Sequence, residues 1–205
     1  MDIIHPSFEI LSHIDYADML KAIEIAGRTA YKSENLMTED SSERFVKMLL
    51  GRGHESVLEH INITVRFTCD RGVSHELVRH RLAAYTQEST RYVNYGKKGL
   101  SVVDPVMFNN DREKHAVWEE AMQQAEHYYN KLIELGAKPE DARSVLPQST
   151  KTEIVTTCNI REWRSILKLR TTAAAHPQMR EMMKALLEKF QAEMPVLFGD
   201  IKPAS

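Results

Sequence analysis

The sequence predicts a mixed α and β fold within one domain, and three observations predict it. Residues 61–69, INITVRFTC, alternate apolar and polar side chains without a fault, which is the pattern of a half-buried strand. Residues 111–136, DREKHAVWEEAMQQAEHYYNKLIELG, form a long helical stretch that ends at Gly136. The 205 residues carry 42% hydrophobic and 27% charged side chains, the make-up of an ordinary globular chain that buries a core. No repeat, low-complexity tract or Gly/Ser-rich linker marks a boundary, so residues 1–205 are expected to form one domain.

The remaining elements follow in order. A short strand is expected near Phe8 to Ser12, and then a helix over DYADMLKAIEIAGRTAYK, where Met19, Ile23 and Ala26 recur at helical spacing. EDSSERFVKMLLGRG reads as a second helix, capped by Asp40 or Ser41 and stopped by Gly51 or Gly53. After the 61–69 strand a turn is expected at Gly72, and Val73, Leu77 and Val78 give a short helix. PEDARSVLP reads as a short helix closed by Pro147, TEIVTTC as a strand, IREWRSILKLR as a helix and PQMREMMKALLEKFQAEM as the last helix.

Composition excludes several functions. The two cysteines, Cys69 and Cys158, form no CxxC pair, so neither a disulfide framework nor a four-ligand zinc site is expected. No apolar run reaches the roughly 18 residues that span a bilayer, and MDIIHPSFEI lacks the basic and apolar regions of a signal peptide, so a cytoplasmic protein without membrane contact is expected. A net charge of −2 argues against nucleic acid as a partner. Charge is nonetheless focused: residues 71–98 hold a net +4, leaving −6 on the rest. No Gly-rich phosphate loop, dinucleotide fingerprint or nucleophile elbow is present. The histidines of HESVLEH are six apart, whereas a helical zinc pair needs four, so no metal site is expected.

The positive focus centres on RHRLAAYTQESTRY, residues 79–92. On a continuing helix Arg79 and Arg81 would diverge by about 200°, so the helix is expected to end at His80 or Arg81, with LAAYTQEST as a loop. Two guanidiniums and a loop rich in hydroxyl and amide donors can then hold a phosphate or carboxylate. The alternative is a solvated basic helix end. In IREWRSILKLR the apolar face through Trp163, Ile166 and Leu167 continues to Arg170, which there needs an anionic partner, either a side chain or a ligand. His54 and Glu59 are either polar groups of a loop or parts of a pocket with the RHR segment.

These residues resemble the flavin-dependent thymidylate synthases. The family signature is Arg-His-Arg, seven residues, then serine, and Arg79, His80, Arg81 and Ser89 meet it. HESVLEH, ARSVLP at 142–147, CNIREWRSILKLR and AHPQMRE match further segments of the family in the same order. The resemblance implies a homotetramer of mixed α/β subunits, each with a central, mostly antiparallel sheet flanked by helices, and FAD bound at subunit interfaces. It implies conversion of dUMP to dTMP, with 5,10-methylenetetrahydrofolate as one-carbon donor and NADPH as reductant through the flavin. Tetrahydrofolate is then released, and a hydride reaches carbon 6 of the uracil without a protein nucleophile.

Carried over by position, Arg79, Gln87, Ser89, Arg91, Arg143 and Arg170 contact dUMP. His54, Ser56, Glu59, His80, Arg81, Asn159, Arg161 and Ser165 fall to FAD. Arg170, Ser89 and His54 are the catalytic set: Arg170 orients the base and stabilises charge developing on it, and Ser89 serves in binding. This chain departs from the family pattern at Ala84, Thr86 and Gln87, where serine, asparagine and glutamate are frequent. It departs also at Glu76, in place of glutamine, and at Ser165, in place of an asparagine that contacts flavin.

Overall fold

The computed structural model describes residues 1–202. Strands β1 (Asp2–Ile4) and β2 (Ser7–Ile10) lead into helices α1 (Tyr16–Tyr31) and α2 (Ser41–Gly51). Strand β3 (Asn62–Asp70), helix α3 (Arg71–Leu77), strand β4 (Ala84–Gln87), helix α4 (Tyr95–Lys98) and strand β5 (Ser101–Val103) follow. Helices α5 (Arg112–Glu134) and α6 (Pro139–Ala142), strand β6 (Lys151–Asn159) and helices α7 (Ile160–Arg170), α8 (Pro177–Glu193) and α9 (Pro195–Phe198) complete the order. The mixed class read from the sequence is the class observed. β1 and β5 pair in parallel, Ile3 opposite Val102, and the larger sheet is antiparallel in the order β2-β3-β6-β4.

The chain divides into two compact units. The first comprises Met1–Glu9, Arg66–Arg79 and Tyr85–Val155; the second comprises Ile10–Val65, His80–Ala84 and the chain from Thr156 onward. β3 and β6 each run through both.

In the first unit α5 supplies the core. Trp118, Met122 and Tyr129, at spacings of four and seven, turn one face inward against Tyr95, Leu100, Val102 and Ala142. Their polar tips are satisfied: Trp118 Nε1 donates to Ser149 Oγ at 3.0 Å, and Tyr129 Oη accepts from the Tyr95 backbone N–H at 3.3 Å. Gly136, with φ of 90°, takes the left-handed conformation that ends the helix.

In the second unit α8 buries Met179, Met182, Met183, Leu186, Leu187 and Phe190, a stripe at three- and four-residue intervals. α7 answers with Ile160, Trp163, Ile166 and Leu167, and the Trp163 and Phe190 rings meet edge to face at 5.8 Å. Each such side chain contributes about 1.5–3 kcal/mol by leaving water. α1 packs on α2 around a buried charge: Glu24 accepts from Arg28 Nε at 2.7 Å and from Ser41 Oγ at 2.7 Å. Arg28 in turn lies 4.4 Å over the Phe45 ring.

Several local expectations are corrected. α3 begins at Arg71, because the Asp70 side chain accepts from the Val73 N–H at 2.8 Å, so Gly72 lies in the first helical turn and makes no separate turn. The helix stops at Leu77, three residues before His80. LAAYTQEST is not all loop: Ala84–Gln87 is a strand at the edge of the larger sheet, with Tyr85 and Gln87 turned inward. Four residues are too few for alternation to stand out in the sequence. The strand expected near Phe8 to Ser12 is β2 at Ser7–Ile10, slightly earlier and preceded by β1, and β1, β4, β5, α4 and α9 are too short to carry a period.

Replacing Ser41 with alanine leaves the Glu24 carboxylate without one of its buried donors. The variant should lose about 1–3 kcal/mol of stability in a denaturant titration.

Candidate functional site

The second unit holds a cleft of about 620 Å³ lined by Glu55, Glu59, Leu82, Asn159, Arg161, Glu162, Arg164, Ser165 and Lys168. Its floor is the first two turns of α7. Asn159 begins the helix, its Oδ1 accepting from the Glu162 N–H at 2.9 Å, so the helix N-terminus is fixed at the cleft wall. Successive turns then project Arg161, Ser165 and Lys168 from one side of the helix. Opposite them, the 3-10 segment Glu55–His60 supplies Glu55 and Glu59. Arg161 Nη1 donates to Glu59 Oε1 at 2.5 Å, and Lys168 Nζ stands 3.9 Å from Glu55 Oε1.

Arg164 anchors this wall and is 2% exposed. Its Nη1 and Nη2 each donate to an Asp200 carboxylate oxygen at 2.6 Å, Nη1 also to the Leu197 carbonyl, and Nη2 to Glu55 Oε1 at 3.4 Å. Its Nε has no partner among the described residues. The hydrogen bonds from Arg164 hold the Asp200 carboxyl below the usual carboxylate range.

At the end of α7, Arg170 Nε donates to His80 Nε2 at 3.0 Å. His80 is buried, and burial first and the Arg170 charge second lower its pKa, so the ring is neutral at pH 7. A donor at Nε2 leaves the proton on Nδ1, which faces Glu162 Oε1 at 3.6 Å. Burial raises the pKa of Glu162. The sequence placed Arg170 on the buried face; it is half-buried, and Arg164 takes the buried position instead. The reason is tertiary: by helical angle Arg170 lies nearer the Trp163, Ile166 and Leu167 arc than Arg164 does, but it is the last residue of α7, whereas Leu197, Asp200 and Glu55 close over Arg164. No spacing singles out Arg164 in the sequence, and Asp200 has no local signal.

The first unit presents a second cationic group. Arg143 Nη1 donates to Thr90 Oγ1 at 3.3 Å and its Nε to the Glu140 carbonyl at 3.1 Å. Arg91 Nη2 lies 3.6 Å from Glu140 Oε2, and its backbone N–H donates to Ser89 Oγ at 3.3 Å. Arg91, Arg143, Ser89 and Thr90 thus form one cluster, with both guanidiniums exposed. Gln87 is held inside, its amide donating to Ser74 Oγ at 2.9 Å and Thr152 Oγ1 at 3.2 Å. Arg79 is exposed.

Of the residues expected at FAD, Glu59, Asn159, Arg161 and Ser165 line the cleft together. His54 and Ser56 are exposed at the start of the 3-10 segment, where His54 Nδ1 meets Tyr31 Oη at 3.3 Å. His80 is buried beside Arg170, and Arg81 is exposed. The sequence did not point to Glu55, Leu82, Glu162, Arg164 or Lys168 as cleft residues. Burial pushes both cysteine thiols far up in pKa, so neither is a nucleophile at neutral pH. Among the described residues no cluster of His, Cys, Asp and Glu is arranged to hold a metal, and no helix is long and apolar enough to cross a membrane.

A helix N-terminus flanked by guanidinium and ammonium groups can take a phosphorylated ligand, and the cleft volume is that of a cofactor site. In class, then, this is an α/β protein with the means to hold a phosphorylated cofactor. Residues 12–196 match the family described as thymidylate synthase complementing protein. A flavin-dependent thymidylate synthase of Pyrococcus furiosus is 36% identical over 86% of this chain and 72% of its own length. Another, from Geobacter sulfurreducens, is 34% identical over 89% of this chain and 82% of its own. A third, from Thermococcus kodakarensis, is 40% identical over 75% of this chain but 64% of its own length. The chain belongs to the flavin-dependent thymidylate synthase family.

Asp200 lies beyond the family match yet anchors the cleft wall, which gives a pH-dependent expectation. Because its folded-state pKa is depressed, its contribution is fully present above about pH 3.8 and is lost as pH falls through the lower folded value. Asp200→Asn should cost about 1–2 kcal/mol at pH 7, discounted for the exposure of the aspartate. Thermal melts should show that difference shrinking below pH 3.8.

Proposed function

We propose that this chain methylates dUMP reductively to dTMP, taking the one-carbon unit from 5,10-methylenetetrahydrofolate and releasing tetrahydrofolate. FAD is the bound cofactor and NADPH the reductant. The observation that carries the reading is the Arg79-His80-Arg81 to Ser89 signature within a family match over residues 12–196. The relatives named flavin-dependent thymidylate synthase support it.

The cleft fits the cofactor's pyrophosphate. Arg161 and Lys168 offer charge-assisted donors, and the α7 N-terminus and Ser165 add neutral ones. Ser165 is short, so it reaches a flavin through water. Glu59, now paired with Arg161, frees that guanidinium when an anion takes its place. His54, Ser56, His80 and Arg81 complete the cofactor set, and Asn159 holds the helix end that faces it. When bound, FAD supplies the hydride chemistry.

Arg79, Arg91, Arg143 and Ser89 hold the nucleotide phosphate and sugar, and Gln87 contacts dUMP after exchanging its internal partners. Arg170 orients the uracil, with its guanidinium stabilising negative charge as it builds on the ring. His54 closes the reacting centre. The two units serve one catalytic domain, and the protein works in the cytoplasm as a homotetramer. Exposed Leu82, Tyr92, Val117, Tyr128 and Leu135 support such assembly.

The test is anaerobic dTMP formation from dUMP, methylenetetrahydrofolate, FAD and NADPH, with a parallel reaction lacking NADPH. Product that depends on NADPH is expected; none from folded, FAD-bound protein would overturn the reading. Cys69→Ala and Cys158→Ala should retain turnover. Arg170→Ala should lower kcat/KM about 10²–10³-fold, with FAD still bound.

A further inference from the structure

The cleft is rich in cations, yet it carries no net positive charge. Its lining sets Glu55, Glu59 and Glu162 against Arg161, Arg164 and Lys168, so the formal charges sum to zero, and Asp200 on Arg164 adds one more carboxylate. A diphosphate entering such a site has to draw cations away from a carboxylate they already face. We propose that this carboxylate is Glu55, a built-in competitor of the cofactor's pyrophosphate that lowers the affinity of the cleft for FAD. The proposal rests on the reading of the cleft as the pyrophosphate site.

Geometry singles out Glu55. It opens the 3-10 segment packed on α7 and faces all three cations of that helix: Oε1 lies 3.4 Å from Arg164 Nη2 and 3.9 Å from Lys168 Nζ, and Oε2 lies 4.0 Å from Arg161 Nε. Whichever of them a phosphate takes, an attraction to Glu55 is given up. Its side chain is 25% exposed, so water screens these charges only in part. Glu59 pairs with Arg161 from a side chain that is 45% exposed and can turn into water at little cost. Glu162 stands against His80.

The three cations would respond differently to its loss. Arg164 keeps Asp200 on both Nη atoms at 2.6 Å together with the Leu197 carbonyl, and gives up only its longest bond. Arg161 keeps Glu59. For Lys168, Glu55 is the one carboxylate within 4.0 Å among the described residues, and Asp200 acts on it from farther away. Neutralising Glu55 therefore leaves the wall standing and releases the Lys168 ammonium to an incoming phosphate oxygen. It also removes a fixed negative charge that repels that oxygen. The wild-type cleft thus holds FAD less tightly than its donors alone would.

The test titrates the full chain with FAD, followed by flavin fluorescence, in wild type, Glu55→Gln, Lys168→Gln and the double variant. Riboflavin, which lacks the pyrophosphate, is titrated in parallel, and melting temperatures are measured without ligand. Glu55→Gln should bind FAD about tenfold more tightly, a figure that allows for the partial exposure of the carboxylate, with riboflavin affinity and melting temperature little changed. Lys168→Gln should cost more FAD affinity in the Glu55→Gln background than in wild type, because its ammonium there meets no internal competitor. Unchanged or weaker FAD binding in Glu55→Gln would overturn the proposal; so would equal tightening of FAD and riboflavin, or effects in the double variant that simply add. A lower melting temperature together with weaker FAD binding would make Glu55 a strut for Arg164 and also overturn it. If FAD binds no more tightly than riboflavin in wild type and every variant, the pyrophosphate reading of the cleft itself falls, and this proposal with it.

Discussion

A guanidinium that is 98% removed from solvent must be given anions and carbonyls, and much of the second unit is arranged to do so for Arg164. Asp200 takes the fork with two bonds of 2.6 Å, Leu197 offers a carbonyl from α9, and Glu55 reaches across from the 3-10 segment. Two stretches of chain far apart in sequence, around Glu55 and at Leu197 to Asp200, are thereby tied to one position on α7. The wall of the cleft is stiff because the cost of leaving this charge unpaired is several kcal/mol. Arg161 and Lys168, one turn to either side, line the cleft, Arg161 paired with Glu59 and Lys168 3.9 Å from Glu55.

The same helix presents different groups at its two ends. Its N-terminus, capped by Asn159, adds partial positive charge to the cleft. Its C-terminal end carries Arg170, whose Nε donates to a neutral histidine. An imidazole lone pair orients a guanidinium and leaves its charge in place.

In the first unit Arg91 and Arg143 are held lightly. Arg91 and Arg143 both lean on Glu140, through its side chain and its carbonyl, and both remain exposed. Such contacts define a direction while costing little to exchange for phosphate, since surface ion pairs are worth less than about 1 kcal/mol. Gln87 is different, because its amide is committed to Ser74 and Thr152 inside the unit. This departure from the family's glutamate has replaced a carboxylate with a group that can donate to two buried hydroxyls.

The sequence by itself determined the elements long enough to carry a period and the segment that holds the signature. The faultless alternation of 61–69 became β3, the stripes of α5 and α8 became core faces, and Arg79, His80, Arg81 and Ser89 stood out through spacing. What only tertiary structure decided concerns groups whose meaning depends on distant partners. Strands of three or four residues, such as β1, β4 and β5, form because a neighbouring strand offers hydrogen bonds, not because of their own pattern. Arg164 and Arg170 sit on the same helix with the same side chain, and which of them is buried was decided by Asp200, 36 residues away, and by His80, 90 residues away. A helical period specifies the angle of a residue around its own axis; it carries no information about which charge from elsewhere in the chain will meet it.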